Sequence, residues 1–352
     1  MQLPMPVQKK EVSILRPESV VKRELPLNFQ QGDLSLFAHE LEKVIPKTRL
    51  LELQNVWVSS DGFLFRGLEI LPESFAFPFL RDNWKRRSVV KLFVTNYFLR
   101  KRRKVAKALW IVDDWSGGYF HWIADALTRL YTIKDRLDDL VLLLPGNYER
   151  LEFVRSSLKA FNIRTEFVGP AEVVFSEKLI VPTHTAPSGH YNEETIRGLR
   201  DFLLNFYGRP LAGPAGDRIY ISRSAAPRRK IANEEEVVAV LREFDFKVIR
   251  SEDYSFEQQV RIASNARWMV SNHGAGLTNM LFMTEGSIVL ELRHSTDRIN
   301  NCYFTLASSL NHRYFYQTCE PQTPGEDAHT ADLIVDVRRL RENIDLMLRY
   351  DE

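Results

Sequence analysis

Short apolar runs separated by turn residues dominate the chain from about residue 50 to 110. Asn55-Val56-Trp57-Val58, Gly62-Phe63-Leu64-Phe65, Val89 to Val94 and Ala108 to Val112 have the β-branched and aromatic content of strands. After a loop from Asp113 to Gly118 the period changes: Ile123, Leu127 and Leu130 recur at steps of three and four residues, which predicts a helix with one apolar face. Val141 to Pro145 reads as a buried strand closed by a turn, followed by a helix near 149–161 and strands near 164–168 and 178–182. Strands alternating with helices predict parallel sheet. Residues 1 to about 30, with proline and mixed charge, read as an irregular lead-in.

The stretch Pro182 to Tyr191 holds proline and glycine and reads as a crossing between domains, followed by a helix near 193–206 and a second glycine- and proline-rich stretch, Gly208 to Asp217. Beyond it the alternation is cleaner. Arg218 to Ser222, Phe246 to Ile249, Trp268 to Ser271 and Ser287 to Leu292 predict strands. Asn233 with Glu236, and Ser255 with Gln258, have capping-box spacing for the intervening helices. Val337 to Leu348 predicts a last helix. The expectation is an α/β protein of three parts: 1–190, 191–330 with a Rossmann-like order, and 331–352 as a helix packing back on the first domain.

Length and composition agree with this picture. A chain of 352 residues, 44% hydrophobic and 27% charged, suits two globular cores. A net charge of +2 supplies no global field for nucleic acid. Cys302 and Cys319 read as buried thiols in a reducing compartment. With no apolar run of spanning length and no apolar segment near the N-terminus, the expected location is cytoplasmic, peripheral at most to an inner membrane. The basic run Arg100 to Lys104, with Lys85-Arg86-Arg87 nearby, offers a contact for anionic lipid headgroups or an acidic glycan; a solvated loop is the default reading.

The candidate chemistry begins at His273-Gly274-Ala275-Gly276-Leu277-Thr278-Asn279, a glycine loop between a strand and a helix. The first N–H groups of a helix have no internal acceptor and carry partial positive charge, so such a junction suits a phosphate. A plain tight turn is the bland alternative. Glu291, on the next strand, is placed to accept from ribose hydroxyls; it follows the loop too soon for a dinucleotide fingerprint. Arg223, just after a strand, and Lys230 in the following loop are candidates to neutralise a diphosphate. Asp-x-Asp occurs nowhere in the chain, and no Cys/His cluster has zinc spacing, so no metal is expected.

These residues lie in a larger pattern. Glu252-Asp253-Tyr254-Ser255-Phe256-Glu257-Gln258-Gln259, Ala266, Val270 to Asn279 and Glu291, together with Gly118 to Leu130, resemble the family 61 glycosyltransferases, which include bacterial polysaccharide, plant xylan and animal protein O-glycan enzymes. The resemblance implies a GT-B fold with two facing Rossmann-like domains and a deep interdomain cleft. It implies a donor site on the second domain, Glu252 included, and an inverting, metal-independent transfer from a UDP-sugar to a glycan acceptor. Surface-polysaccharide synthesis, on an acceptor that is free or lipid-linked, is the role expected. Inversion needs a general base. His121 and Asp125, four apart on a helix, share a face, and either could act with the other orienting it. A locally bonded helix-terminal His and a surface Asp are the bland alternative for that pair; Asp114 and Asp113, either of which could simply cap the loop, come next, then His184 and His190. Trp115 or Tyr119 is expected against the acceptor, since aromatic faces pack on sugar rings, although large aromatics more often fill a core. An epimerase or hydrolase of nucleotide sugars, and a nucleotide-binding protein without catalysis, are the rival readings.

Overall fold

A computed structural model describes residues 9–83, 90, 93–208 and 217–351. The chain forms two compact units: residues 1–19 with 45–188, and 20–44 with 189–352. Its strands are β1 (Lys9–Arg16), β2 (Ser19–Lys22), β3 (Glu42–Ile45), β4 (Thr48–Ser59), β5 (Leu64–Arg66), β6 (Glu69–Ile70), β7 (Lys101–Leu109), β8 (Val141–Pro145), β9 (Thr165–Val168) and β10 (Glu172–Pro182), then β11 (Asp217–Ile221), β12 (Lys247–Ile249), β13 (Ala266–Asn272), β14 (Ile288–His294), β15 (Arg313–Pro321) and β16 (Leu333–Ile334). Among the described residues no helix is long and apolar enough to cross a membrane.

The first unit is built on one mixed sheet, ordered β6-β5-β4-β10-β7-β8-β9, with β1 paired to β4. Strands β10, β7, β8 and β9 run parallel, so their carboxyl ends share one edge, whereas β4 is antiparallel to β10. The run Leu142-Leu143-Leu144 is wholly buried, as a parallel strand covered on both faces requires. Three expectations need correction. The lead-in is structured from Lys9, where pairing with β4 satisfies its backbone. Of the strand expected over 89–94, Val90, Phe93 and Val94 are helical, and Val89, Lys91 and Leu92 lie outside the described residues. The basic run is not a loop: residues 101–104 open β7, in register with Glu172 to Phe175. Four of its five charges have partners: Arg100 pairs with Asp61 at 3.0 Å, Arg103 with Glu166 and Lys104 with Glu177, and Arg102 lies over the Trp57 ring. That pairing removes much of the field a lipid surface would feel. Lys85, Arg86 and Arg87 lie outside the described residues.

The second unit is a sheet of order β12-β11-β13-β14-β15-β16. The first five strands are parallel. Counted from β11 their order is 2-1-3-4-5, the doubly wound arrangement whose direction of winding reverses between β11 and β13. Residues 20–44 join this unit rather than the first: Leu27 N–H donates to Tyr314 O, Asn28 Nδ2 to Tyr316 O, and Phe37 packs edge-on against Phe304 and Tyr316. The last helix, Val337–Asp351, closes this unit's own core through Leu340, Ile344 and Met347, where the sequence reading looked for it on the other domain.

Ser255 forms the expected capping box with Gln258, each side chain bonded to the other's backbone N–H. Asn233 does not cap its helix; its amide bridges to the backbone of Val335 instead. Ser255→Ala is therefore expected to lower stability by about 1 kcal/mol, read as a shift in the urea midpoint. An unchanged midpoint would show the cap to be idle.

Candidate functional site

Two clusters of chemistry-bearing residues form, one on each unit. On the second, the reversal point of the sheet brings the end of β11 beside the end of β13. Arg223 leaves β11 and its guanidinium crosses Gly274: a Cβ on Gly274 would lie 2.7 Å from Arg223 Cζ, so a larger residue there would push the guanidinium aside. Gly276 is equally constrained, since its Cβ would lie 2.8 Å from Ile221 Cγ2. Arg223 is anchored from behind by Nε to Arg229 O at 3.2 Å and Nη2 to Arg228 O at 3.3 Å. Arg229 has left-handed backbone, φ 55, and its carbonyl also accepts from Asn272 Nδ2. Burial, then the neighbouring Arg229, lowers the pKa of Arg223, although Tyr303 and Glu252 oppose this. Positive charge is thus held where water is partly excluded, a condition that an anion relieves.

Past Gly274 a 3-10 helix, Ala275–Phe282, begins with no side-chain cap on its first N–H groups. Ala275 and Gly276 are half-buried. His273 precedes them with its Nδ1 at 2.5 Å from Glu291 Oε1, and Tyr303 stands edge-on to its ring. The other Glu291 oxygen accepts from Tyr314 OH. Burial alone would raise the Glu291 pKa, yet it is lowered, because the charge and hydrogen bond of His273, then Arg293 and Tyr314, outweigh desolvation. Arg293 is itself buried, with Nη1 on Asn301 and Nη2 on Asp297 O. The arrangement fixes His273 through Nδ1 and leaves Nε2 for a ligand.

Three donor-site expectations change here. Glu291 is not at an open strand end: it lies three residues inside β14, fully buried with both oxygens engaged, so it orients His273 rather than meeting a ribose. Leu277 is core, with no exposed surface. Asn279 is buried and donates to Gln259 Oε1; Gln259 in turn holds Ser251 O and Tyr254 O, so Asn279 braces the turn that carries Glu252. Glu252 itself is exposed. Lys230 is fixed by its backbone, to Asp332 and Leu333, and is half-buried.

The first unit's cluster sits at the carboxyl end of β7 and β10. The segment Tyr119–Tyr131 starts as α-helix and takes π hydrogen bonding over Trp122–Ala126. On it His121 Nδ1 lies 2.9 Å from Asp125 Oδ2, and Ser188 Oγ donates to the same carboxylate at 2.8 Å. A second His–Asp couple lies close by: His184 Nε2 is 2.7 Å from Asp113 Oδ2, while Asp113 Oδ1 accepts from Trp115 N, Ser116 N and Ser116 Oγ. Arg129, fully buried, reaches within 3.9 Å of Asp113 and donates through Nε to Pro182 O. Burial lowers the Arg129 pKa to about 10, and Asp113 partly offsets it. For Asp113 desolvation is the largest influence and raises the pKa, but the His184 bond and the His184 and Arg129 charges together win and hold it at about 2. Asp114 is exposed, its pKa raised by partial desolvation, and its Oδ1 accepts from Ala76 N. Trp115 is exposed beside His121, with rings 5.1 Å apart, whereas Tyr119 packs edge-on against Phe153. His190 belongs to the second unit, 3.5 Å from Glu40, and burial lowers its pKa to about 4.

Sequence reasoning missed Arg129, Ser188, Asn272, Arg293, Tyr303 and Tyr314. Arg129 and Asn272 fall inside runs that were singled out, but a buried Arg or Asn has the same letter as an exposed one. Ser188, Tyr303 and Tyr314 lie far along the chain from the residues they support.

Asp113 generates a pH prediction. With its folded pKa at about 2 against an ordinary 3.8, the carboxylate stabilises the fold fully above about pH 4 and loses that contribution as pH falls towards 2. The difference corresponds to about 2 kcal/mol. Asp113→Asn should lack this acid-dependent component and, by leaving Arg129 unpaired, lose about 3 kcal/mol at neutral pH. Urea denaturation at stepped pH checks both; equal slopes for the two proteins between pH 4 and 2 would contradict the ionised, paired Asp113.

Comparison with known proteins agrees with the resemblance in the sequence. Residues 119–290 match the family model described as Glycosyltransferase 61. A protein O-linked-mannose β-1,4-N-acetylglucosaminyltransferase 2 of Xenopus laevis is 37% identical over 100 residues, 28% of this chain and 17% of that protein. An EGF domain-specific O-linked N-acetylglucosamine transferase of Bos taurus is 31% identical over 127 residues, 34% of this chain and 24% of that protein. The Drosophila melanogaster protein of that name is 32% identical over 131 residues, 36% of this chain and 25% of its own length. The match therefore spans a quarter or less of each of these relatives. Over residues 119–290, which include His121, Asp125, Arg223 and His273, this chain is similar to the family 61 glycosyltransferases.

Proposed function

We propose that the protein transfers a sugar from a UDP-sugar to a glycan acceptor, inverting the anomeric centre in one step without a metal, on a GT-B architecture. The observation that carries this reading is the guanidinium of Arg223 across Gly274, beside the uncapped start of the Ala275–Phe282 helix. A leaving diphosphate needs fixed positive charge where its own charge develops. Arg223 and the N–H groups of Ala275 and Gly276 supply it, and His273, set by Glu291, donates or accepts at the adjoining oxygen or sugar hydroxyl. Because Arg223 is anchored before ligand arrives, little reorganisation is required. The relatives' names make N-acetylglucosamine the first sugar to try.

The acceptor hydroxyl must lose a proton as the diphosphate departs. His121 is the base in this reading, with Asp125 and Ser188 holding its Nδ1 side so that Nε2 meets the hydroxyl. Asp125 then stabilises the imidazolium that forms, the role an orienting carboxylate plays in a triad. The His184–Asp113 couple has similar geometry, but Asp113 also carries the loop's backbone and Arg129, which suits it to shaping the site.

Two outcomes are expected. UDP at saturating concentration should raise the melting temperature with or without EDTA, since a ligand that binds only the folded state stabilises it by mass action; a shift that vanishes on chelation would overturn the metal-free mechanism. His121→Asn and Asp125→Asn should retain that shift while turnover of UDP-N-acetylglucosamine, followed as UDP release with acceptor present, falls by at least about a hundredfold. Unchanged turnover in His121→Asn would remove it from the base role.

A further inference from the structure

Three features of the first unit meet beside His121. The first is a chain of aromatic rings. Phe79 packs against Phe77 with centroids 5.6 Å apart, Phe77 meets Trp115 at 5.3 Å, and Trp115 meets His121 at 5.1 Å. The second is exposure. Phe79 is 62% and Trp115 39% accessible, so two rings of this chain face solvent although a folded chain gains by covering them. The third is a staple. Asp114 N–H donates to Ser74 O at 3.0 Å, and Asp114 Oδ1 accepts from Ala76 N at 2.9 Å, which ties the turn bearing Phe77 and Phe79 to the loop bearing Trp115. An exposed aromatic row pinned in this way is a preformed surface rather than a stray hydrophobic side chain.

Resting on the transferase reading, we infer that Phe79, Phe77 and Trp115 form an extended acceptor track for an oligosaccharide of at least two sugar rings, running away from the reacting hydroxyl at His121. The occupant is fixed by its mixed character. A pyranose ring presents an apolar C–H face to an aromatic ring and hydroxyls at its edge. Here the Asp114 carboxylate, exposed and partly desolvated, borders the rings and can accept from those hydroxyls. A purely aliphatic chain would desolvate that carboxylate further while offering it no hydroxyl, which is unfavourable. Continuity with His121 supplies the direction: the ring nearest the base takes the terminal sugar, and Phe79 takes the sugar next in line. Phe79 and Phe77 are specificity-determining residues in this account, and Asp114, expected from the sequence as a catalytic candidate, becomes a positioning residue.

The test uses the full chain and a panel of soluble glycans graded from one to six sugars, with farnesyl phosphate as an aliphatic control, read by saturation-transfer NMR and titration. Wild type should hold oligosaccharides about three- to tenfold more tightly than the matching monosaccharides. Phe79→Ala should lose that increment, and Phe79→Tyr should keep it. Both should unfold as wild type does and keep the UDP-induced thermal shift, because the residue is exposed and on the other unit from Arg223. The inference is overturned if Phe79→Ala binds the graded glycans as wild type does, if wild type shows no gain with glycan length or binds none of them, or if farnesyl phosphate is preferred. A wild type without any UDP shift would instead defeat the transferase reading.

Discussion

Arg223 can lie across the end of β13 only because residue 274 has no side chain, and much of the second unit is arranged around that overlap. The guanidinium would prefer water, so it is tied down by two carbonyls of the 228–229 turn, one of which also holds Asn272. Burial and Arg229 weaken its hold on its proton, an effect that an anion placed beside it would offset. Ile221 and Gly276 repeat the same close fit one residue pair further on, which seats the short helix on the strand before it. The glycines of this loop therefore do two things at once: they admit a guanidinium from behind and present backbone N–H groups in front.

The first unit reaches a comparable end by burying charges in pairs. Asp113 and Arg129 are both inside, where either alone would cost several kcal/mol. Together, with His184 on the carboxylate, they fix the loop that follows β7 and so fix Trp115 and the entry to the His121 helix. The π-bonded turn at Trp122–Ala126 belongs to the same construction, and it carries Asp125, the partner of His121. Departures of this kind from regular helix recur at functional sites.

How much of this could be read from the letters follows from which forces are local. Four of the five parallel strands of the second sheet were visible because each is a short apolar run between turn residues, β15 being missed, and Ser255 with Gln258 announces its helix within four positions. The glycine loop and the His121–Asp125 spacing were visible for the same reason. Pairing across the chain was not. The basic residues 101–104 look like a loop until Glu166 and Glu177 are brought beside them, and Lys9 to Arg16 looks irregular until β4 supplies its hydrogen bonds. Glu291 was placed on the right strand with the wrong task, because burial and the partners His273 and Tyr314 are tertiary facts. Residues 20–44 went to the wrong unit since nothing in their sequence names Tyr314 and Tyr316 as partners.

The central claim is that the Gly274 loop and Arg223 hold a diphosphate, and the most direct measurement compares the affinities of UDP and uridine by calorimetry in wild type and in Gly274→Ala. The account predicts that wild type binds UDP far more tightly than uridine, and that the difference largely disappears in Gly274→Ala, where the new Cβ displaces the guanidinium. Equal affinities for UDP and uridine in wild type, or an undiminished preference for UDP in Gly274→Ala, would contradict it.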